Sequence, residues 1–365
     1  MEKPVDEGDP IQRVRFTCET IARNATQVHI NGSACKAAAS FLLPLLTSHQ
    51  TSAANTWLNA NGLHPSKPDD FALKWIFVID TLNFCFWTPP GKEPFTIEWK
   101  GKCYTGYWAL CAAVNRALEK GIPLLEAEFL ANVDENTLAE VFRSSTSTDI
   151  PLLEKRVHIL NESGQILLGK FQGTFLQLLS TADWDAVSLV KLLIANFPSF
   201  CDEALYKVDG VDRLVAFYKR AQILVADCWA CCRKIKRIEK LTMFADYRVP
   251  QCLVQLGVLE YREKLMVKLK RGELLENGSK EEVEIRACSI IAVERVKKEL
   301  EIMMRTRGYE VDGERVNSVA IDFELWTFAK AQSNSMKDIP IHRTLSIFYE
   351  GQGRKRKGLC CVCIR

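Results

Sequence analysis

The stretch LTMFADYRVPQCL, residues 241–253, sets an acid, Asp246, two positions before a base, Arg248, between Phe244 and an apolar run that Pro250 leads. Two kinds of chemistry fit that spacing. Asp246 is either an acid in a turn, favoured by the dipole of the helix that follows or paired with Arg248, or a carboxylate in an apolar cleft, where burial perturbs its acidity and suits it to catalysis. Phe244 and Tyr247 flank it, as a site that stacks an aromatic base requires. Asp80 and Asn83 raise the same question within WIFVIDTLNFCFW (75–87). Burying an unpaired carboxylate there costs on the order of several kcal/mol, so the pair belongs to a structural network or to a pocket wall. Asp322 is the third case, among Val319, Ala320, Ile321, Phe323, Leu325 and Trp326. A helix that apolar packs in the interior, and its one carboxylate is paired in the core or lines a cavity. In FYKRAQ (217–222), Lys219 and Arg220 offer cations to an anionic group, or else form a solvated helix face.

The elements that must position these residues are mostly helices. TGYWALCAAVNRALEKG (105–121) carries Trp108, Cys111, Ala112 and Asn115 at helical spacing and stops at Gly121-Ile122-Pro123. The run from Asp149 to Phe171 predicts a helix with Asp149 as N-cap and Pro151 in the first turn. Residues 184–197 end before Pro198, and 33–46 form an apolar run that Pro44 interrupts. Residues 279–308 open with a capping box, Ser279 to Glu282, and close at Gly308; 317–332 form another capped helix. Pro250 is placed to begin a short helix just after Asp246. One segment reads as β, FTIEWKGKCYTGY (95–107), a hairpin about Lys100-Gly101. Neither G-x-G-x-x-G nor a P-loop is present, and no repeat of 20–50 residues recurs, which argues against dinucleotide-binding, NTPase and solenoid folds. The expected fold is mainly α: one globular helical domain over 11–349 with a single small hairpin, a disordered segment at 1–10 and a basic, cysteine-rich tail at 350–365.

Composition narrows the function classes. The 365 residues are 47% hydrophobic and 25% charged, as in soluble globular chains, and the net charge is only +3. A partner made of polymeric nucleic acid calls for a clustered basic footprint, and the only basic run, Arg354 to Lys357, is confined to the tail. No signal peptide and no run of about 18 apolar residues is seen, so a cytoplasmic chain without a membrane span is expected. The 14 cysteines are scattered, which fits thiols in a reducing compartment. CWACC (228–232) contains a C-x-x-C, read as core cysteines of one helix, with metal or redox chemistry as the alternative. The tail, GQGRKRKGLCCVCIR, is either solvated or, through its basic cluster and acylatable cysteines, a membrane-docking element; its last four residues are not a prenylation box.

Several long stretches occur in an order that resembles the queuosine salvage family of queuosine 5′-phosphate N-glycosylases/hydrolases: WIFVIDTLNFCFW, GYWALCAAVNRALEKGIP, HILNESGQILLGKFQGTF, FYKRAQILVAD, MFADYRVPQ, EVEIRACS and IPIHR. The resemblance covers roughly residues 11–349 and leaves out the tail. It implies a helical fold akin to helical DNA glycosylases, and hydrolysis of the bond between a 7-deazaguanine-type base and ribose 5′-phosphate, releasing queuine for tRNA modification. On this resemblance Asp246 is the nucleophile or transition-state stabiliser, Phe244 contacts the base and Asp322 binds ligand. The family pattern has a ligand-contacting histidine where an ungapped alignment of WLNANGLHP (57–65) puts Asn61, a tyrosine at Phe323 and a second aspartate at Thr327. Phe323 keeps the stacking face without the hydroxyl, Asn61 cannot titrate, and Thr327 removes a charge.

Cleaving such a bond builds positive charge on the sugar, which a carboxylate in a dry site stabilises. A 7-deaza base lacks the N7 that protonation could use, so the sugar side and donors to other base atoms carry more of the work. Phe244 and Phe323 would stack the base, Asp322 would accept from it, and Lys219 would meet the 5′-phosphate, unless a helix N-terminus does. No metal or cofactor is required, and a monomer acting on a free nucleotide is expected. The departures leave a second reading open: a non-catalytic module that binds a deazaguanine nucleotide.

Overall fold

The computed structural model describes residues 8–47, 57, 60, 62–88, 91–332 and 336–344; Asn61, the extreme N-terminus at 1–7 and the tail at 350–365 lie outside them. The first helix, α1 (Pro10–Asn24), starts where Asp9 accepts from the N–H groups of Ile11 and Gln12. Helical order therefore begins inside the segment expected to be disordered, because Asp9 supplies a cap and Pro10 needs no N–H partner. There follow α2 (Gly32–Thr47), α3 (Asp70–Thr81), α4 (Tyr107–Glu119), α5 (Ala127–Asn132), α6 (Glu135–Val141) and α7 (Leu153–Lys170). The second half holds α8 (Phe175–Thr181), α9 (Ala186–Asn196), α10 (Lys219–Cys232), α11 (Arg248–Gln255), α12 (Glu263–Lys270), α13 (Lys280–Thr306) and α14 (Ser318–Ala331). The fold is mainly helical, and α2 runs on through Pro44 in its last turn.

Helix α13, 27 residues long, is the axis of the fold. Ser279 caps it by accepting from the Glu282 N–H, and Gly308 takes a left-handed φ of +76° just beyond its end. Every residue from Glu282 to Val293 is buried, since α1, α2, α11 and α14 all pack on this helix. Polar groups inside so dry a helix must be paired. Glu284 accepts from the N–H groups of Thr26, Gln27 and Val28 and from the Tyr206 hydroxyl, which fixes the turn after α1.

Two buried arginines tie the remaining helices together through backbone carbonyls rather than carboxylates. Helix α10 packs along α3, and Arg220 donates to the carbonyls of Thr81 and Ser199. Arg220 is thus buried and Lys219 half-buried, so the solvated-face reading of this pair does not hold: the start of α10 is wedged against the end of α3. Arg156, fully buried on α7, donates to the carbonyls of Leu82 (2.7 Å), Phe84 (2.7 Å) and Cys85 (3.2 Å) and to that of Pro151. That last bond explains a second correction. Asp149 is not the N-cap of α7; the helix opens at Leu153, after Leu152 adopts a φ of +60° and Pro151 turns its carbonyl to Arg156.

Among the described residues the strands form three small antiparallel pairs instead of one. β1 (Val28–Ile30) pairs with β6 (Leu259–Tyr261), β2 (Thr96–Trp99) with β3 (Lys102–Thr105), and β4 (Glu203–Val208) with β5 (Val211–Ala216). The expected hairpin is β2–β3, with Lys100 and Gly101 both at positive φ. The second hairpin, β4–β5, turns at Asp209-Gly210, again both at positive φ, a dipeptide suited to a tight hairpin turn. Strands β1 and β6 have three residues each and come from distant parts of the chain, too short for any alternation to register.

Helices α5 and α7 approach closely at Gly164, in the NESG stretch of α7. A Cβ there would lie 2.3 Å from the Ala131 nitrogen and 2.6 Å from the Ala127 oxygen, both backbone atoms of α5 and its edge. Gly164→Ala must push α5 away, and a loss of about 3 kcal/mol is expected from such overpacking. Urea unfolding of wild type and variant checks this; matching midpoints would refute the close approach.

Candidate active site

Between α4, α10, α14 and the segments at 82–88, 244–248 and 342–344 lies a cavity of about 210 Å³. A single water needs only about 10–15 Å³ on that measure, so the space suits an organic ligand. Asp246, Phe244, Asp322, Phe323 and Lys219 all line it, as do Asn83 and Tyr247. Asp80 stands behind the wall, fully buried, with its Oδ1 accepting from Asn83 Nδ2 at 3.1 Å.

The segment that carries Asp246 is irregular yet buried from Leu241 to Ala245, so its backbone groups need partners outside regular structure. Four helices provide them, the first being α1, whose Arg15 donates to the Leu241 carbonyl at 3.1 Å. Gln222 of α10 accepts from the Thr242 N–H at 2.9 Å. Asp322 of α14 accepts from the Phe244 N–H through Oδ2 at 2.8 Å. Arg286 of α13 donates from Nε to the Ala245 carbonyl at 3.2 Å, while its remaining nitrogens pair with Asp202 and Glu282. Asp246 then anchors itself: Oδ1 accepts from the N–H groups of Arg248 and Val249, each at 2.9 Å. The two readings of this acid therefore coincide, since a carboxylate that caps α11 also faces the cavity. Helix α11 opens at Arg248, two residues before the proline that was expected to begin it.

Burial raises the pKa of both carboxyls. Asp246 is shifted up by burial, with Lys219 and the two backbone N–H groups opposing. Asp322 goes well above the ordinary range, first through burial and then through the charge of Asp246. Like charges this close do not both ionise readily. The counter-ion and the two N–H bonds leave Asp246 as the charged member and Asp322 as the neutral one. Lys219 is in turn pulled down by burial, with Asp246 its main stabilising neighbour.

Aromatic rings make the other side. Phe244 and Phe323 meet edge to face with centroids 6.4 Å apart. His64 lies between Trp57, Trp75 and Trp108. Its Nδ1 bonds to the Trp57 carbonyl at 2.9 Å, so Nδ1 carries the hydrogen and Nε2 accepts from the Tyr107 hydroxyl at 3.0 Å. Burial lowers this imidazole to about 4, so it is neutral at pH 7. Asn61, where the ungapped alignment placed the family's histidine, is outside the described residues; His64, three positions on, lines the cavity. Thr327 is exposed and is not part of the cavity wall.

Several lining residues had no role from sequence: Asp227, Arg286, Lys330, His64 and Tyr107. One was within reach. Asp227 is a lone acid in the apolar run ILVADCWA, the same signal that singles out Asp80 and Asp322. The neighbouring Cys228 and Cys231 are buried thiols within α10. Among the described residues no three His, Cys, Asp or Glu side chains converge as metal ligands, and no helix is long and apolar enough to cross a membrane.

The profile of the queuosine salvage protein family matches residues 63–349. The chain belongs to that family. Relatives called queuosine 5′-phosphate N-glycosylase/hydrolase bear this out: one from Mus musculus is 42% identical across 94% of this chain and 100% of its own. One from Schizosaccharomyces pombe is 39% identical across 93% and 100%, and one from Sphaerobacter thermophilus 40% identical across 79% and 84%. In this member of the queuosine salvage family the cavity walls come from the stretches that carry the resemblance, Phe84 to Trp87, Lys219 to Asp227, Phe244 to Arg248 and His342 among them.

The walls also carry a stability cost that depends on pH. Asp80, ordinarily near 3.8, is pushed up to about 7, above all by burial, and its Oδ2 has no partner. A carboxyl whose folded value is raised costs nothing below its unfolded value and its full penalty above the folded one. Asp80→Asn removes that penalty. The variant should gain melting temperature over wild type at pH 8 and little at pH 5, and thermal melts showing an equal difference at both pH values would refute the assignment.

Proposed function

We propose that this chain hydrolyses the N-glycosidic bond of a 7-deazaguanine nucleotide, queuosine 5′-phosphate, releasing queuine. The observation that carries the proposal is the carboxylate of Asp246, fixed at the cavity surface by two backbone N–H groups beside a pair of phenylalanines. The relatives' shared name supplies the substrate.

As the C–N bond lengthens, the sugar becomes oxocarbenium-like. Asp246, charged in a site with little water, stabilises that charge directly and orients or replaces the attacking water. Phe244 and Phe323, set at right angles, give the base one stacking face and one edge contact. Asp322 has one oxygen committed to the Phe244 N–H, leaving the other for the base edge. Lys219 is positioned for the 5′-phosphate, and Arg248 and Lys330 add positive charge to the same cavity. Burial brings Lys330 down to about 8, with the charge of Arg248 acting in the same direction, so a bound anion would restore its proton affinity. The net charge of +3 favours a small nucleotide over a nucleic-acid polymer, and the chain is proposed to act as a cytoplasmic monomer without a metal.

Purified protein incubated with queuosine 5′-phosphate should release the free base, detected by chromatography and mass spectrometry. Asp246→Asn should slow release by about 10³-fold, the scale of losing a transition-state electrostatic group. Wild-type protein that is folded and binds the nucleotide but releases no base would defeat the proposal.

A further inference from the structure

Expelling a 7-deaza base leaves negative charge on it, and among the roles above only neutral Asp322, at the base edge, offers it a hydrogen-bond donor. The cavity contains a carboxyl with no assigned task. Asp227 sits in the middle of α10, 6% exposed, and lines the cavity. Its neighbours on the helix, Ala226, Cys228 and Ala230, are apolar and buried. Across the α3–α10 contact stands Asp80, fully buried, with Oδ1 on Asn83 and Oδ2 unpartnered. The nearest cations do not resolve this pair: Arg220 has its guanidinium on the carbonyls of Thr81 and Ser199. Asp322, which touches the Asp246 segment, is the next acid along.

Three buried acids, Asp80, Asp227 and Asp322, thus lead away from Asp246; the charge of Lys219 acts on Asp80 and Asp322, and no cation among the described residues acts on Asp227. Burial, then the charge of Asp80, holds Asp227 well above the ordinary carboxylate range, which favours its protonated form. The indole N–H of Trp57 pulls the other way but stops short of a hydrogen bond. A carboxylic acid kept neutral by its surroundings is a strong donor in a dry site, as in enzymes that stabilise enolates.

We propose that Asp227, as a neutral acid, donates a hydrogen bond to the base as it departs. This rests on the hydrolase reading and assigns its base side, as Asp246 serves the sugar side. In the step, the electron pair of the C–N bond moves onto the base nitrogen and the water oxygen adds to the anomeric carbon. One proton of that water ends on the base, and Asp227 keeps its own throughout, so atoms and charge balance.

Two variants separate donation from mere packing. Asp227→Asn retains an N–H donor, whereas Asp227→Val retains only bulk, and in an apolar wall a purely structural acid would make valine the gentler change. On queuosine 5′-phosphate, Asp227→Val should lower kcat by about 10²-fold with KM within a few-fold, and Asp227→Asn should recover most of the rate. A nitrophenyl riboside 5′-phosphate has a leaving group stable as an anion, so there both variants should stay within about threefold of wild type. Valine equal to or better than asparagine on the nucleotide, or equal losses on both substrates, would overturn the proposal. Wild-type protein that fails on the nucleotide itself would instead bring down the hydrolase reading, so the two failures are told apart.

Discussion

A buried stretch of irregular backbone is the constraint around which this molecule is arranged. From Leu241 to Asp246 the chain crosses the interior without helix or sheet bonds of its own, and every unmet N–H or C=O there would cost about 1–3 kcal/mol. Arg15, Gln222, Arg286 and Asp322 meet that demand from four different helices. Helices α10, α13 and α14 must therefore hold fixed relative positions, and the packing of α13 against its neighbours maintains them. The cavity is what remains between these helices, and Asp246 is held at its edge by the same bonds.

The second organising theme is the separation of charges by task. Arg156 and Arg220 are buried without carboxylates and hold loops by their carbonyls, which keeps the 82–88 wall and the end of α3 in place. Arg286 is paired twice and sits 3.9 Å from the centroid of the Phe217 ring, so its charge is neutralised locally. The acids Asp80, Asp227 and Asp322 have no ion-pair partner among the described residues, and burial moves all three upward, Asp80 to about 7 and the other two well above the ordinary carboxylate range. Charge inside the cavity thus resides on Asp246 and on the cations Lys219, Arg248 and Lys330.

Much of this was legible in the sequence because polar residues in apolar runs must be accounted for. Asp246, Asp322 and Asp80 were found that way, and the helices around them followed from spacing, from the capping box at Ser279 and from the stops at Gly121, Pro198 and Gly308. What pattern could not give was the partner of each group. Whether Lys219 and Arg220 faced water depended on what α10 packs against, and whether Asp149 capped α7 depended on a carbonyl claimed by Arg156 five residues beyond Pro151. Strands β1 and β6 pair across more than two hundred residues, beyond any local signal. The turn at Asp209-Gly210 was present in the sequence and marks a hairpin on its own terms.

The double use of Asp322 constrains how this pocket can diverge. One carboxyl oxygen sets the Phe244 backbone while the side chain also borders the ligand space. A substitution there that widened the range of accepted bases would loosen the segment carrying Asp246 at the same time. Selectivity and chemical competence are therefore linked traits at this position, inherited or lost together. At exposed Thr327, further along α14 and off the cavity wall, no such linkage applies.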